Sequence, residues 1–230
     1  MTLRARSTAD EWMDDAAATE ADFRGALRDL ERINRLTLAY RPTLRWLDDL
    51  VRRTGTTSLS VLDVGAGGGD MMRAVARWGE RRGVAVALTG LDRSPWAEPA
   101  ARAAGTPGDW ITEDLFALDP ARRFDAVICS LFAHHLRDPE LVRFLRWLDA
   151  RAVRGWLISD LHRHAVPFGA VWAGVRLFRM HPMVISDSTI SIARGFSRAD
   201  WARLVAEAGV EATIRWALPF RWTVSRLRTA

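Results

Sequence analysis

Residues 61–70 read VLDVGAGGGD, and this stretch decides how the chain folds. An aliphatic run reaches the acidic Asp63 and then breaks into glycines, and apolar residues at helical spacing resume from Met71. The pattern predicts a strand, a tight turn and the start of a helix. Because a turn without side chains lets a ligand lie against its backbone, we expect a binding site at this turn.

The spacing of the glycines excludes two kinds of nucleotide site. A dinucleotide fingerprint needs glycine or alanine three residues after its second glycine, and here that position holds Asp70, whose carboxylate also repels a pyrophosphate. A P-loop needs a lysine, and the chain contains none. The pattern that remains is acidic-x-Gly-x-Gly-x-Gly, formed by Asp63, Gly65, Gly67 and Gly69.

Polar residues follow each of the next predicted strands. The strand at 84–91 ends in Asp92, twenty-five residues past Gly67, and a short strand at 110–112 precedes Asp114. Strands at 124–130 and 155–159 lead into the sequences LFAHHL and DLHRH. Because parallel strands end at one edge of a sheet, we expect all these residues to line one crevice.

In this order and spacing, the motifs resemble those of class I S-adenosylmethionine-dependent methyltransferases over about residues 57–162, and more loosely beyond. The resemblance implies S-adenosylmethionine as cofactor and S-adenosylhomocysteine as product. It places the glycine backbone at the methionyl part, Asp63 at the ammonium end, Asp92 at the ribose and Asp114 at the adenine. The cofactor-binding residues that it implies are Tyr40, Arg41, Asp63, Gly65, Ala66, Gly67, Gly69, Asp92, Arg93, Asp114, Leu115 and Ser130.

Alternating strands and helices predict an α/β fold. We expect a doubly wound, mostly parallel, seven-stranded Rossmann-like sheet, with an antiparallel edge from strands at 210–217 and 220–227. Residues 1–56 are predicted to form an N-terminal helical cap, and residues 57–230 the methyltransferase domain. An insertion at 163–196 is interpreted as a substrate lid, or as an apolar helix that packs on the sheet or on a second subunit.

Histidines follow the fourth and fifth strands and are the candidates for proton transfer. An oxygen nucleophile needs its proton removed, and imidazole titrates near neutrality. Either His134 or His135 is the predicted base, with His134 favoured, whereas His162 is predicted to pair with Asp160, two residues before it. Arg163 is expected to face solvent or a substrate carboxylate. No metal site is predicted, since Asp160 and Asp187 are the only acidic candidates near these loops.

Composition limits the classes of protein to which the chain can belong. The 230 residues, 49% of them apolar, can bury the core of one domain, and the apolar stretch at 165–178 is too short to span a membrane. All 33 basic residues are arginine. Residues 151–230 contain twelve arginines and five acidic residues. This excess of positive charge favours an anionic or carrier-bound substrate, or it is simply a solvated surface. No nucleic-acid motif is present. Cys129 stands alone, which fits a cytoplasmic protein, and eleven tryptophans leave room for a homodimer contact.

We therefore expect an enzyme that methylates a small, largely apolar acceptor. The first choice is a phenolic or enolic oxygen of a polyketide-like metabolite, because the loops resemble those of small-molecule O-methyltransferases of bacterial secondary metabolism. The alternatives are ring C-methylation of a quinone-type substrate, a dinucleotide-dependent reductase, and a non-catalytic partner protein that binds S-adenosylmethionine.

Overall fold

The computed structural model describes residues 3–15 and 17–228. Residues 1–2 and 16 of the predicted cap, and residues 229–230 of the predicted methyltransferase domain, lie outside the described residues. Seven strands are present in these ranges: β1 Ser58–Val64, β2 Ala85–Asp92, β3 Asp109–Thr112, β4 Phe124–Ser130, β5 Ala152–Leu161, β6 Thr213–Ala217 and β7 Arg221–Leu227. They form one sheet in the order β3-β2-β1-β4-β5-β7-β6.

Helices connect and cover these strands. In the described part of the chain they are α1 Glu20–Leu36, α2 Arg41–Thr54, α3 Asp70–Arg82, α4 Ala97–Ala103, α5 Asp138–Arg151, α6 Ala165–Leu177, α7 Pro182–Arg194 and α8 Arg198–Ala208. Short 3-10 turns lie at Trp12–Asp14 and Ala133–His135. Within these same residues, no helix combines the length and the hydropathy that a membrane crossing requires.

The pairing of the strands confirms the predicted α/β fold. β1 pairs in parallel with β2 and β4, and parallel pairs extend to β3 and β5. β7 runs antiparallel to both β5 and β6, which forms the expected antiparallel edge. The chain leaves β1 in one direction towards β2 and returns on its other side as β4. Ligands bind at such a switch point, where the carboxyl ends of the strands open a crevice.

The turn between β1 and α3 can be built only with glycine. Gly65, Gly67 and Gly69 have φ values of +70°, +50° and +69°, a region that side chains disfavour. A Cβ on Gly65 would lie 2.5 Å from the Phe132 ring, and one on Gly69 would lie 2.5 Å from Thr106. The turn therefore packs closely against its neighbours, and no side chain separates its backbone from a ligand.

Each face of the sheet is buried by helices. One face packs on α5 and α8 through large buried side chains such as Phe144 and Trp201, and the other packs on α2 and α3 through Leu47 and Met72. The two clusters hold the strand ends in a fixed relation, which is what a site built from several loops requires.

A third, smaller core lies above the strand ends. It joins α1 to α6 and α7 through Ala26, Val175 and Met183. The N-terminal residues 3–15 lie along α7, where Asp187 accepts hydrogen bonds from the amides of Trp12 and Met13, each 2.9 Å long. We call residues 3–15, α1, α6 and α7 together the roof. Cap and insertion thus pack on each other over the crevice.

Candidate active site

A cavity of about 920 Å³ lies between the strand ends and the roof. Small-molecule sites span roughly 300–1,000 Å³, so this volume has room for a cofactor and an acceptor together. The predicted site residues that line it are Gly65, Ala66, Gly67, Asp92, Arg93, Asp114, Leu115, Ser130, His134 and His135. Most of the predicted cofactor set, and both adjacent histidines, therefore meet in one place.

The remaining predicted cofactor residues lie behind or beside the cavity wall. Asp63 is buried beneath the glycine turn, and Gly69 caps α3 against Thr106. The Tyr40 hydroxyl donates a 2.8 Å hydrogen bond to Asp70, a carboxylate that lines the cavity. Arg41 is exposed at the start of α2 and is not among the residues that line the cavity.

Asp92 is held in place by the glycine turn itself. Its Oδ2 accepts a 2.8 Å hydrogen bond from the amide of Gly67, and its Oδ1 accepts one of 2.9 Å from the amide of Ser94. Burial raises the pKa of Asp92 although these two amides act to lower it. Each carboxylate oxygen keeps a free lone pair, so Asp92 can still accept hydroxyl donors from the cavity.

The acidic residues around the turn fit a cationic ligand. Asp63, Asp70 and Asp92 come together there, and burial, followed by the charges of Asp70 and Asp92, raises the pKa of Asp63 well above its usual value. A positive group in the cavity would relieve this repulsion, whereas a phosphate would add to it. S-adenosylmethionine carries an ammonium and a sulfonium and no phosphate, so these residues suit it.

His134 is paired with Asp160. The imidazole Nδ1 lies 2.7 Å from Asp160 Oδ1, and the His134 amide donates a 3.2 Å hydrogen bond to Asp160 Oδ2. Both residues are buried. Burial acts to raise the pKa of Asp160, but the charge and hydrogen bond of His134 hold it below the ordinary value. Since the carboxylate occupies Nδ1, the Nε2 atom of His134 is free to act as a base.

The predicted pairing of Asp160 with His162 is wrong. β5 extends two residues further than the sequence predicted, to Leu161, and the His162 amide donates a 2.9 Å hydrogen bond to Phe220 O beside β7. The His162 ring packs near His164, Phe220 and Trp222, and His162 is not among the residues that line the cavity. The longer pairing with β7 therefore carries this ring away from the site.

His135 is held by the N-terminal segment. Its Nδ1 lies 2.7 Å from Asp14 Oδ2, and Arg93 donates a 2.8 Å hydrogen bond to the other oxygen of Asp14. Burial acts to lower the pKa of His135, but the hydrogen bond to Asp14 and the charges of Glu11 and Asp14 outweigh it and raise the pKa. Asp14 had no recognisable sequence signal, because it lies in an aperiodic polar segment far from the motifs.

Glu11 completes a cluster with the two histidines. Its carboxylate is only 4% exposed, and its two oxygens lie 3.8 Å from His134 Nε2 and 3.9 Å from His135 Nε2. The ligand atoms of these three residues all lie within 4.8 Å of one another, close enough for one metal ion. However, Arg194 Nε lies 3.7 Å from Glu11 Oε1, so a fixed positive charge already sits beside the carboxylate. The arrangement therefore favours proton handling over cation binding.

Comparison with known proteins identifies the family. A family model described as a methyltransferase domain matches residues 61–153. The ubiquinone biosynthesis O-methyltransferase of Thiobacillus denitrificans is 32% identical over 178 residues, covering 73% of this chain and 70% of that protein. The chain is a class I S-adenosylmethionine-dependent methyltransferase. Its cofactor is accordingly S-adenosylmethionine, and the reductase and non-catalytic alternatives are excluded.

Other relatives of the methyltransferase share less of their length with it. The Methylobacterium nodulans protein of the same description is 33% identical, over 55% of this chain and 52% of its own. The methyltransferase thus spans about half of that relative. Among solved structures, the plantazolicin methyltransferase BpumL with S-adenosylhomocysteine gives a TM-score of 0.65 at 13% identity, covering 92% of this chain and 96% of that one. This likeness confirms the fold.

A second solved structure agrees with the first. The magnesium protoporphyrin IX methyltransferase of Synechocystis, solved with bound S-adenosylhomocysteine, gives a TM-score of 0.56 at 16% identity, covering 84% of this chain and 83% of that one. The methyltransferase therefore shares its fold with enzymes whose names describe very different acceptors, and its own acceptor must be argued from its site.

Proposed function

We propose that the enzyme transfers the methyl group of S-adenosylmethionine to a phenolic or enolic oxygen of a small ring compound, with His134 as the general base. The observation that carries this proposal is the buried Asp160–His134 pair in the cavity wall, with Nδ1 bound to the carboxylate at 2.7 Å. A histidine oriented in this way can take a proton through Nε2, while the carboxylate stabilises the imidazolium that forms.

The preference for oxygen also rests on relatives. The similar proteins are described as O-methyltransferases of ubiquinone biosynthesis, and an oxygen acceptor on an aromatic ring is consistent with that description. A quinone-type phenol and a polyketide-like phenol present the same reacting group, so the proposal covers both. Apolar roof residues such as Val171 and Met183 line the cavity, which suits the ring of either compound.

The chain's own residues then have distinct tasks. When bound, the cofactor supplies an activated methyl group on sulfonium sulfur. The glycine turn, Asp92 and Asp114 bind and orient its two ends, and the roof excludes water. His134 removes the proton of the acceptor hydroxyl, and Asp160 holds the imidazole ring in place. Alignment and proton removal are the two contributions that this site can make to the reaction.

Product analysis tests the proposal. The purified enzyme is incubated with methyl-labelled S-adenosylmethionine and a panel of catechols, hydroxyquinols and enolic pyrones, and products are identified by mass spectrometry and NMR. We expect methyl ethers of the phenolic or enolic oxygen. Exclusive formation of ring C-methyl products would overturn the oxygen assignment and favour the quinone-type C-methylation alternative. Binding of S-adenosylhomocysteine, measured by calorimetry, verifies that the enzyme used is competent.

A further inference from the structure

Arg221 is a buried arginine in the cavity wall. It is only 3% exposed, yet it lines the cavity. Its Nη2 donates a 3.0 Å hydrogen bond to Thr37 Oγ1 in the link between α1 and α2. Among the residues that the structure describes, Nε and Nη1 find no hydrogen-bond partner. Arg221 therefore brings a guanidinium with two unpaired donors to the wall of the space where ligands bind.

The position of Arg221 places it in the acceptor half of the site. It begins β7 and pairs with Leu161, next to Asp160 at the end of β5. The strand order puts β7 three strands beyond β1 on the β4 side, whereas Asp92 ends β2 and Asp114 follows β3 on the opposite side. Arg221 thus lies near the Asp160–His134 pair, away from the residues assigned to ribose and adenine.

Within residues 3–15 and 17–228, no counter-ion is dedicated to this charge. Asp160 is the acidic group that acts on Arg221, but its oxygens already accept from His134 and from the Leu161 amide. A buried charge without a hydrogen-bonded partner is costly, so such groups are normally completed by a ligand or a counter-ion. A carboxylate matches the guanidinium best, because two parallel N–H donors reach its two oxygens.

The neighbouring Arg163, which the sequence suggested for a substrate carboxylate, is already engaged. It forms a 2.8 Å ion pair with Asp200 and donates to the carbonyl oxygen of Gly195 at 2.7 Å. Its donors hold the end of β5 to the start of α8 and are not available to the cavity. The comparison shows that the unused guanidinium of Arg221 is a local exception.

We propose that Arg221 binds a carboxylate on the methyl acceptor, so that the preferred acceptor is a hydroxylated aromatic or enolic acid. This inference rests on the proposed function, and it names the acceptor class within it. It refines the expectation of a largely apolar acceptor: the ring faces the apolar roof, and the acid group faces Arg221. Charge-assisted hydrogen bonds of this kind contribute about 1.5–3 kcal/mol, which corresponds to a preference of roughly 10- to 100-fold.

Binding to the S-adenosylhomocysteine complex tests the inference independently of turnover. The affinities of 3,4-dihydroxybenzoate and of its methyl ester are measured by calorimetry on the wild-type complex and on Arg221→Gln and Arg221→Lys. We expect the acid to bind the wild type roughly 10- to 100-fold more tightly than the ester, and the preference to vanish in Arg221→Gln. Arg215→Gln, an exposed arginine on the neighbouring β6, serves as the control that keeps the preference.

Two results would overturn the inference. Equal binding of acid and ester to the wild type would do so, whether or not the variants fold. So would a loss of S-adenosylhomocysteine affinity in Arg221→Gln with the acid preference intact, since the carboxylate bound would then be that of the cofactor. Methylation of neutral phenols with no preference for acids would contradict the inference about Arg221 but would leave the proposed function intact. If the acid bound selectively but no hydroxyl were methylated, the proposed function alone would fail.

Discussion

The proposed chemistry depends on one imidazole and the carboxylate behind it. His134 and Asp160 are separated by twenty-six residues in sequence, and 2.7 Å between Nδ1 and Oδ1 in the fold. His134→Gln is expected to lower kcat by about 10²- to 10⁴-fold, because general-base catalysis contributes that much. Asp160→Asn should lower kcat as well, since an amide can hold the ring in the wrong tautomer. Steady-state kinetics on the methylated phenol measure both effects.

The matched control for these variants is His162→Gln. This ring lies outside the cavity lining, so kcat is expected to stay within about twofold of the wild type. The S-adenosylhomocysteine affinity should be unchanged in all three variants, because none of these side chains is assigned to the cofactor. Full activity of His134→Gln, with loss of activity in His162→Gln, would reverse the assignment of the base.

The Glu11, His134 and His135 cluster provides a second prediction. Because Arg194 lies 3.7 Å from Glu11 Oε1, we expect the enzyme to work without a divalent cation. Dialysis against EDTA should leave kcat unchanged, and added Mg²⁺ or Zn²⁺ should not raise it. Activity that falls on chelation, and returns with one of these ions, would instead assign the three side chains as metal ligands. Metal analysis of the purified protein provides the control.

At the scale of the helices, α1 packs tightly against the start of α7 in the roof. A Cβ on Gly25 would lie 2.5 Å from Cδ2 of His181, whose amide is held by Asp29 at 2.7 Å. Gly25→Ala is therefore expected to destabilise the protein by about 1–3 kcal/mol through overpacking. The melting temperature should fall by about 2–4 °C for each kcal/mol.

Gly174→Ala in α6 is the control for the helix effect. A Cβ there would meet nothing within 4 Å, so alanine should leave stability unchanged or raise it by up to about 1 kcal/mol through helix propensity. If both alanine variants raised the melting temperature equally, the contact between α1 and α7 would not be as tight as the structure shows.

The contact between the N-terminal segment and the site, formed by Asp14 and His135, should depend on pH. The pKa of His135 is raised from 6.5 in the folded protein, and the pKa of Asp14 is lowered to about 2. Burial acts against both shifts, but the 2.7 Å hydrogen bond between the two groups outweighs it. The contribution of His135 is complete below pH 6.5 and is lost as the pH rises through its raised pKa; the contribution of Asp14 is lost only in strong acid.

Thermal unfolding of His135→Asn measures this dependence. The melting temperature of the wild type should exceed that of the variant most between about pH 4 and 6.5, and the difference should shrink at higher pH. His162→Asn supplies a contrast of opposite sign. Burial, followed by the charges of His164 and Arg163, lowers the pKa of His162, so its contribution to stability is lost as the pH falls. A pH-independent difference for His135→Asn would contradict the assigned pair.

Across the molecule, the fold followed from local signals. Glycines with positive φ, a strand ending in Asp92, and alternating apolar patterns are all properties of short segments. Local geometry and the right-handed crossover rule then leave few ways to assemble the sheet. α3 begins at Asp70, where the sequence predicts the start of a helix, for the same reason. β5 was predicted too short at its C-terminal end, because Asp160 and Leu161 are ordered by pairing with β7.

The cofactor half of the site was likewise encoded in short motifs, since one turn and two successive strand ends hold its residues. The proposed acceptor half of the site was not encoded in short motifs. Glu11 and Asp14 lie in an aperiodic segment and contact the two adjacent histidines. Asp160 pairs with His134 and not with its sequence neighbour His162. Arg221 lines the cavity from the last strand of the sheet in chain order. These groups meet through packing of the roof and antiparallel pairing, which join distant segments. Sequence spacing carries no information about such contacts, so only the assembled chain brings the proposed acceptor-binding groups together.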